Sequence, residues 1–258
     1  MVTKRAEPMA LIRQIYRDMR CPIFKLLNGK KERFTCPVCH YHGPFIDIIM
    51  QTTGLRRHAR CPKCASLERN RIQYLVLQDL SKTFDFSNMI MIHFAPEPLF
   101  RKQLKRMFKV YITADLFMEN VDVKADLRYL PFGDSTHDFV FASHVLEHIK
   151  DDYEAIAEVR RILRPAGVAV LPVPIIATKT VEYNKPRPSE AMHVRAPGPD
   201  YYERYHQFFS RVTLYYSGSF PSNYQTYLYA DRTKWQDTVP ERAMEGYKHS
   251  DIVPVCFV

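Results

Sequence analysis

The amino-acid sequence predicts an α/β fold, a mostly parallel sheet with helices on both faces, led by a small cysteine-bearing module. Three observations predict it. From residue 88 onward, short apolar runs alternate with helical patterns, the pattern that a parallel sheet requires. Two C-x-x-C pairs stand in the first quarter of the chain. The net charge of +9 is confined to one end: residues 1–80 hold fifteen Lys/Arg against six Asp/Glu, and residues 81–258 hold 22 of each. A neutral core with a basic appendage is therefore expected. The basic end either meets an anionic partner or is a solvated surface.

The bulk numbers bound the rest. A chain of 258 residues accommodates one sizeable domain plus a small attachment. Its 46% apolar and 25% charged residues are ordinary for a globular protein. No apolar window reaches the ~18 residues of a membrane-spanning helix. The opening stretch "MVTKRAEPMALIRQIYRDMR" lacks the apolar segment and cleavage site of a secretory signal, so a cytoplasmic protein is expected.

The elements follow in chain order. Residues 1–34 form a basic helical segment, with Leu11, Ile12, Ile15 and Met19 at helical spacing and Arg13, Arg17 and Arg20 on other faces. Such a helix packs on its own domain, or rests on a membrane surface or nucleic acid. Residues 35–66 carry "CPVC" (Cys36, Cys39) and "CPKC" (Cys61, Cys64), with 21 residues between the pairs. That spacing predicts a zinc ribbon, because each C-x-x-C turn presents two thiolates to one tetrahedral ion. A closed shell of four thiolates leaves no open position, so this zinc is structural. His40 and His42 could compete as ligands, and Cys21 and Cys256 have no assigned role. Residues 67–86 form a connecting helix, with Ile72, Leu75, Val76 and Leu80 on one face. Glu68, Arg69 and Arg71 at its start read as a surface salt-bridge cluster or as ligand contacts.

Residues 87–258 form the α/β domain. "MIMIHF" is a strand, 97–107 a helix, "VYITADLF" a strand ending at Asp115, and "VDVKADL" a short strand ending at Asp126. "HDFVFASHV" is a strand that enters "LEHI", and 151–163 is a helix with Asp151 and Glu154 as a box-like cap. "RPAGVAVLPVPI" is a turn and a strand, 174–199 a Pro-rich insertion long enough for a lid or acceptor pocket, 199–209 a helix, 211–217 a strand and 251–258 a last strand. Ligands in such sheets bind at the carboxyl ends of the strands, where the 93–97 turn, Asp115, Asp126 and residues 143–148 all fall.

The turn itself, "HFAPEP", contains no glycine. A dinucleotide needs glycines there so that backbone can reach its pyrophosphate, so a nicotinamide cofactor is disfavoured. The motifs "HDFVFASHVLEHI" and "LRPAG" resemble those of class I S-adenosylmethionine-dependent methyltransferases of type 11. The ordered set "CPKCASLERNR", "HFAPEP" and "MHVRAPGPDYYERY" is similar to a group of these enzymes that carries an N-terminal four-cysteine zinc ribbon. The resemblance covers most of residues 36–201 and implies a Rossmann-like methyltransferase core. Its cofactor has no phosphate, which explains how a turn closed by Ala95 and Pro96 can serve.

The resemblance also implies roles. Asp115, with Leu116, meets the ribose hydroxyls; Asp126, with Leu127, meets the adenine; Ser143 and His144 line the methionine end; and Glu97 or His93 lies near the ammonium group. Methyl transfer from a sulfonium is an in-line displacement that needs alignment, and a base only where the acceptor must lose a proton. Candidates at the acceptor side are His144, His148, His193, Arg195 and Tyr201, with His148 read as a packing residue. The expected function is methyl transfer to a small-molecule, glycan or nucleotide-linked acceptor, the phosphorylated kind matching the basic end. Alternatives are an RNA methyltransferase that grips nucleic acid with its ribbon, and a non-catalytic binding protein. The aromatic tail reads as packing, with stacking on a flat acceptor as the rival.

Overall fold

The computed structural model describes residues 21–50, 54–231, 244 and 246–258. The N-terminal module opens with two short strands, β1 (Phe34–Thr35) and β2 (His42–Gly43), and continues into the hairpin β3 (Ile46–Met50) and β4 (Gly54–Arg60). Helix α1 (Glu68–Leu80) leads to β5 (Ile90–Phe94), α2 (Pro98–Met107), β6 (Val110–Asp115), β7 (Val123–Lys124) and β8 (His137–Ala142). Helix α3 (Asp152–Ile162) and β9 (Leu163–Val170) follow. The hairpin β10 (Val181–Arg187) and β11 (His193–Ala196) precedes β12 (Arg211–Tyr216), β13 (Leu228–Ala230), β14 (Lys248–His249) and β15 (Ile252–Phe257).

Seven strands form one sheet in the order β12-β15-β9-β8-β5-β6-β7. The five from β7 to β9 run parallel, and β15 enters antiparallel between β9 and β12. The strand order reverses between β5 and β8, which makes their carboxyl ends the switch point where α/β sheets hold ligands. Side chains alternate across the sheet as a two-residue period demands. Ile92, Phe94, Val140 and Ala142 face a core shared with α3 and Tyr201, Tyr202 and Tyr205. Met91, Phe139 and Phe141 face the other core, with Ile72, Val76 and Leu80 of α1 and Phe100 and Leu104 of α2.

The N-terminal module is completed by the far end of the chain. β13 pairs with β4 through Tyr229↔Arg57 and Ala230↔Arg56, giving a four-stranded sheet in the order β14-β13-β4-β3. A domain boundary drawn at residue 66 or 87 therefore does not separate two independent sheets. Arg71 fastens the joint. Its buried guanidinium donates to the carbonyls of Ala59, Ser66 and Gln225 at 2.8–2.9 Å and sits 4.6 Å from the centre of the Phe45 ring.

Several local expectations are corrected. Glu68, Arg71 and Arg56 are buried, and Glu68 accepts from Arg56 at 2.6 Å, so this is no surface cluster. β7 ends at Lys124, and Asp126 lies beyond it in a tight bridge with Tyr129. Asp151 makes no side-chain cap on α3; its carboxylate accepts from Arg128 instead. The 174–199 insertion holds a β-hairpin, and Pro199–Gln207 is a 3₁₀ helix. The segment with Leu11, Ile12, Ile15 and Met19 lies outside the described residues, while residues 21–27 are helical.

Candidate functional site

The four cysteines converge, with all four sulfurs within 4.8 Å of one another. Two tight turns of the same build place them. The His40 amide donates to the Cys36 carbonyl and the Cys36 amide donates to the Tyr41 carbonyl; Ala65 and Ser66 repeat both bonds on Cys61, all at 2.8–3.0 Å. His40 and Ala65 both take the left-handed conformation, at φ 58° and 63°. The closest sulfur pairs stand 3.5 and 3.6 Å apart. The edge of a tetrahedron with Zn–S bonds of about 2.3 Å is roughly 3.8 Å, so the cluster fits zinc. Hydrogen bonds from the Cys39, Cys61 and Cys64 thiols pull the Cys36 thiol down, and the Cys36 contact pushes Cys39 and Cys61 up. One divalent cation would remove that conflict by holding all four as thiolates. Ser66 Oγ lies 3.3 Å from Cys36 Sγ and 3.2 Å from Cys64 Sγ, where it can hydrogen-bond the sulfurs.

The segment after the second pair reaches from these sulfurs to the switch point. Two residues beyond Glu68, Asn70 donates to Glu97 at 2.6 Å, and Arg69 donates to it at 2.8 Å. Glu97 opens α2 and ends the glycine-free turn. Within that turn Ala95 takes φ 45°, and its amide donates to the Ala114 carbonyl. A conformation that glycine adopts freely is thus held here by a residue with a Cβ, at a cost on the order of 1 kcal/mol. His144 does the same across the switch point, at φ 57°, with its amide bonded to the Pro172 carbonyl.

The sheet register brings the other candidates alongside. Phe94 pairs with Ala114 on one side and Ala142 on the other, so Ala95 and Ser143, one step past β5 and β8, stand level with Asp115 at the end of β6. Asp115 spends Oδ1 on the amides of Phe117 and Met118, both at 2.7 Å, and leaves Oδ2 without a hydrogen-bond partner among the described residues. Leu116, Phe117 and Met118 beside it are exposed apolar side chains. Ser143 is buried and accepts from Gln73 at 2.9 Å.

Other expected site residues stand elsewhere. Asp126 is taken by Arg128, whose guanidinium donates to both its oxygens at 2.7–3.3 Å and holds it below the usual carboxylate range. Leu127 faces the core. His93 is fully buried on the α1/α2 face, stacked on Phe141 and bonded to the Tyr111 hydroxyl; burial pushes its ring down to about 3. Arg195 is 1% exposed, and its guanidinium donates to the carbonyls of Leu146, Ile149 and Lys150 at 2.6–2.9 Å. Tyr201 is fully buried and donates to Asp152 at 2.6 Å. Arg195 therefore braces the 146–150 turn, and Tyr201 packs in the core against the first turn of α3 through Asp152. His144 and His193 do come together, around a residue the sequence reading passed over, Glu147. The signal for it was present in "LEHI", where an acid adjoins the histidine that had been read as packing.

Comparison with known proteins agrees with this geometry. Residues 75–171 match the family described as "Methyltransferase domain". An S-adenosylmethionine-dependent methyltransferase from Mesorhizobium loti superposes with a TM-score of 0.50 at 12% identity, covering 74% of this chain and all of that one. A phosphoethanolamine N-methyltransferase of Haemonchus contortus superposes at 0.46 with 11% identity, over 72% of this chain and 52% of that one. Among curated proteins, an uncharacterized 37.1 kDa protein from a Streptomyces fradiae transposon is 38% identical over 58 residues, which are 22% of this chain and 17% of that protein. The matched span contains the last turns of α1, the Ala95 turn, Asp115 and the 143–148 segment, and the sheet of which it is the centre has the Rossmann-like order. Residues 75–171 thus both match a methyltransferase domain model and form the centre of a sheet with the Rossmann-like fold.

Proposed function

We propose that the chain transfers a methyl group from S-adenosylmethionine to a small acceptor bearing a hydroxyl or similar nucleophile, of the small-molecule, glycan or nucleotide-linked kind. The observation that carries this is the switch point: β5 and β8 are each followed within two residues by a strained, left-handed, non-glycine residue, Ala95 and His144, and Asp115, with one oxygen unbonded among the described residues, stands beside them. The residues fit the cofactor. Asp115 Oδ2 suits a vicinal diol, the exposed Leu116–Met118 surface suits a flat base, and the Ala95 turn leaves room for an amino-acid part near Glu97. The cofactor supplies the electrophilic methyl. The chain's own work is to align the acceptor from the His144 side, exclude water with the β10–β11 hairpin, and receive a proton on an imidazole nitrogen where the acceptor carries one.

The basic first third gives less to an RNA reading than its charge suggests, because Arg56 is consumed by Glu68 in the interior. Among the described residues no helix is long and apolar enough to cross a membrane. Calorimetry on the purified full chain tests the proposal. Binding of S-adenosylhomocysteine at one site per chain, with no binding of NAD, is expected; indifference to both S-adenosylmethionine and S-adenosylhomocysteine would leave a non-catalytic protein.

A further inference from the structure

Glu147 is fully buried, and both of its carboxylate oxygens lack a hydrogen-bond donor. An ionised carboxylate in that position needs compensation of several kcal/mol. Among the described residues its ion-pair partners within 4 Å are two imidazoles: His144 Nδ1 at 3.5 Å and His148 Nε2 at 3.9 Å from the same Oε1. A third imidazole comes from a distant part of the chain. His193 begins β11, and its ring meets the His148 ring edge-on with centroids 4.7 Å apart. Ligand atoms of Glu147, His148 and His193 all lie within 4.8 Å of one another.

We propose that Glu147, His148 and His193 form a second metal site, distinct from the cysteine cluster, that takes a first-row divalent cation. Two imidazoles and one carboxylate on one side of an ion are a donor set that such cations favour and that leaves positions open. A divalent cation held between them would balance the charge of the buried carboxylate. Metal bonds near 2.1 Å place ligand atoms about 3.0–3.4 Å apart, so a cluster spanning up to 4.8 Å needs to contract by no more than about 1.4–1.8 Å. The architecture holds it ready: Arg195, two residues after His193, binds the carbonyls of Leu146 and Ile149 on either side of Glu147 and His148. His148 is 38% exposed at its side chain, so the open positions face outward beside His144. On the methyltransferase reading, which this clause alone requires, a cation there would bind the acceptor's oxygen and lower its pKa.

The test uses the full chain with its cysteine site loaded with zinc, and Co²⁺ as the probe. Calorimetry and absorption should show one Co²⁺ bound beyond the zinc, without the intense thiolate bands that cysteine ligation gives. His148→Ala and His193→Gln, with Glu147→Gln as the buried counterpart, should each weaken Co²⁺ roughly tenfold or more while the zinc content stays at one per chain. Binding of S-adenosylhomocysteine to the same samples reports separately on the methyltransferase reading. A wild-type chain that takes no Co²⁺ beyond the zinc site, or binding unchanged in both histidine variants, overturns the proposal and leaves a carboxylate–imidazolium cluster.

Discussion

The cysteine module and the carboxyl edge of the sheet each rest on two non-glycine residues in the left-handed conformation: His40 and Ala65 in the first, Ala95 and His144 in the second. They differ in how the site is assembled. In the module the two turns repeat the same local hydrogen bonds, and every sulfur lies within three residues of its turn partner. At the edge, residues from 69 to 193 meet only because the sheet register and the Arg195 clamp bring them together. A site built from adjacent residues rests on its local turns, and a site built from distant ones rests on its braces. The segment from Ser66 to Arg71 connects the two, touching sulfurs at one end and Glu97 at the other.

The largest expected effect breaks the first half of this comparison. Cys61→Ser should lose zinc and soluble folding together, since the module's apolar cluster is small and includes the cysteines themselves. Metal analysis and thermal unfolding check this, and full zinc occupancy in a folded variant would refute the four-sulfur site. A smaller effect sharpens the connection between the regions. Arg71→Met should cost about 3 kcal/mol of unfolding free energy, because three buried carbonyls and Glu68 lose their cation. Denaturant unfolding reads this, and a loss below about 0.5 kcal/mol would mean the joint is held by β13 pairing alone.

The same comparison explains what could be read in advance. The strands of the central sheet and α1 to α3 were legible because their apolar periodicity is local, and the cysteine cluster was legible because each C-x-x-C pair is closed by one tight turn. The pairing of β13 and β14 with β4 was not legible, since nothing in "YLYAD" marks its partner as residues 56–57. Arg195 and Tyr201 read as substrate contacts because an arginine and a tyrosine in a loop look alike in sequence whether exposed or buried. Their role follows from the carbonyls of residues 146–150 and from Asp152, which only the fold brings to them. Asp126 was misread for a related reason: a strand-end acid suits adenine only while its neighbour Arg128 turns away.

Asp115 and Asp126 therefore provide the most direct test, because they are two acids, one ending β6 and one just beyond β7, with opposite fates. Asp115→Asn keeps an acceptor for the Phe117 and Met118 amides and removes the charge from the free oxygen, so folding should persist. Calorimetry with S-adenosylmethionine on Asp115→Asn and Asp126→Asn compares them. The account predicts a loss of roughly 1.5–3 kcal/mol for Asp115→Asn, the scale of a charge-assisted hydrogen bond, and less than about 1 kcal/mol for Asp126→Asn, whose charge is already paired. Equal affinity in wild type and Asp115→Asn, or the larger loss in Asp126→Asn, would contradict the placement of the cofactor on this edge.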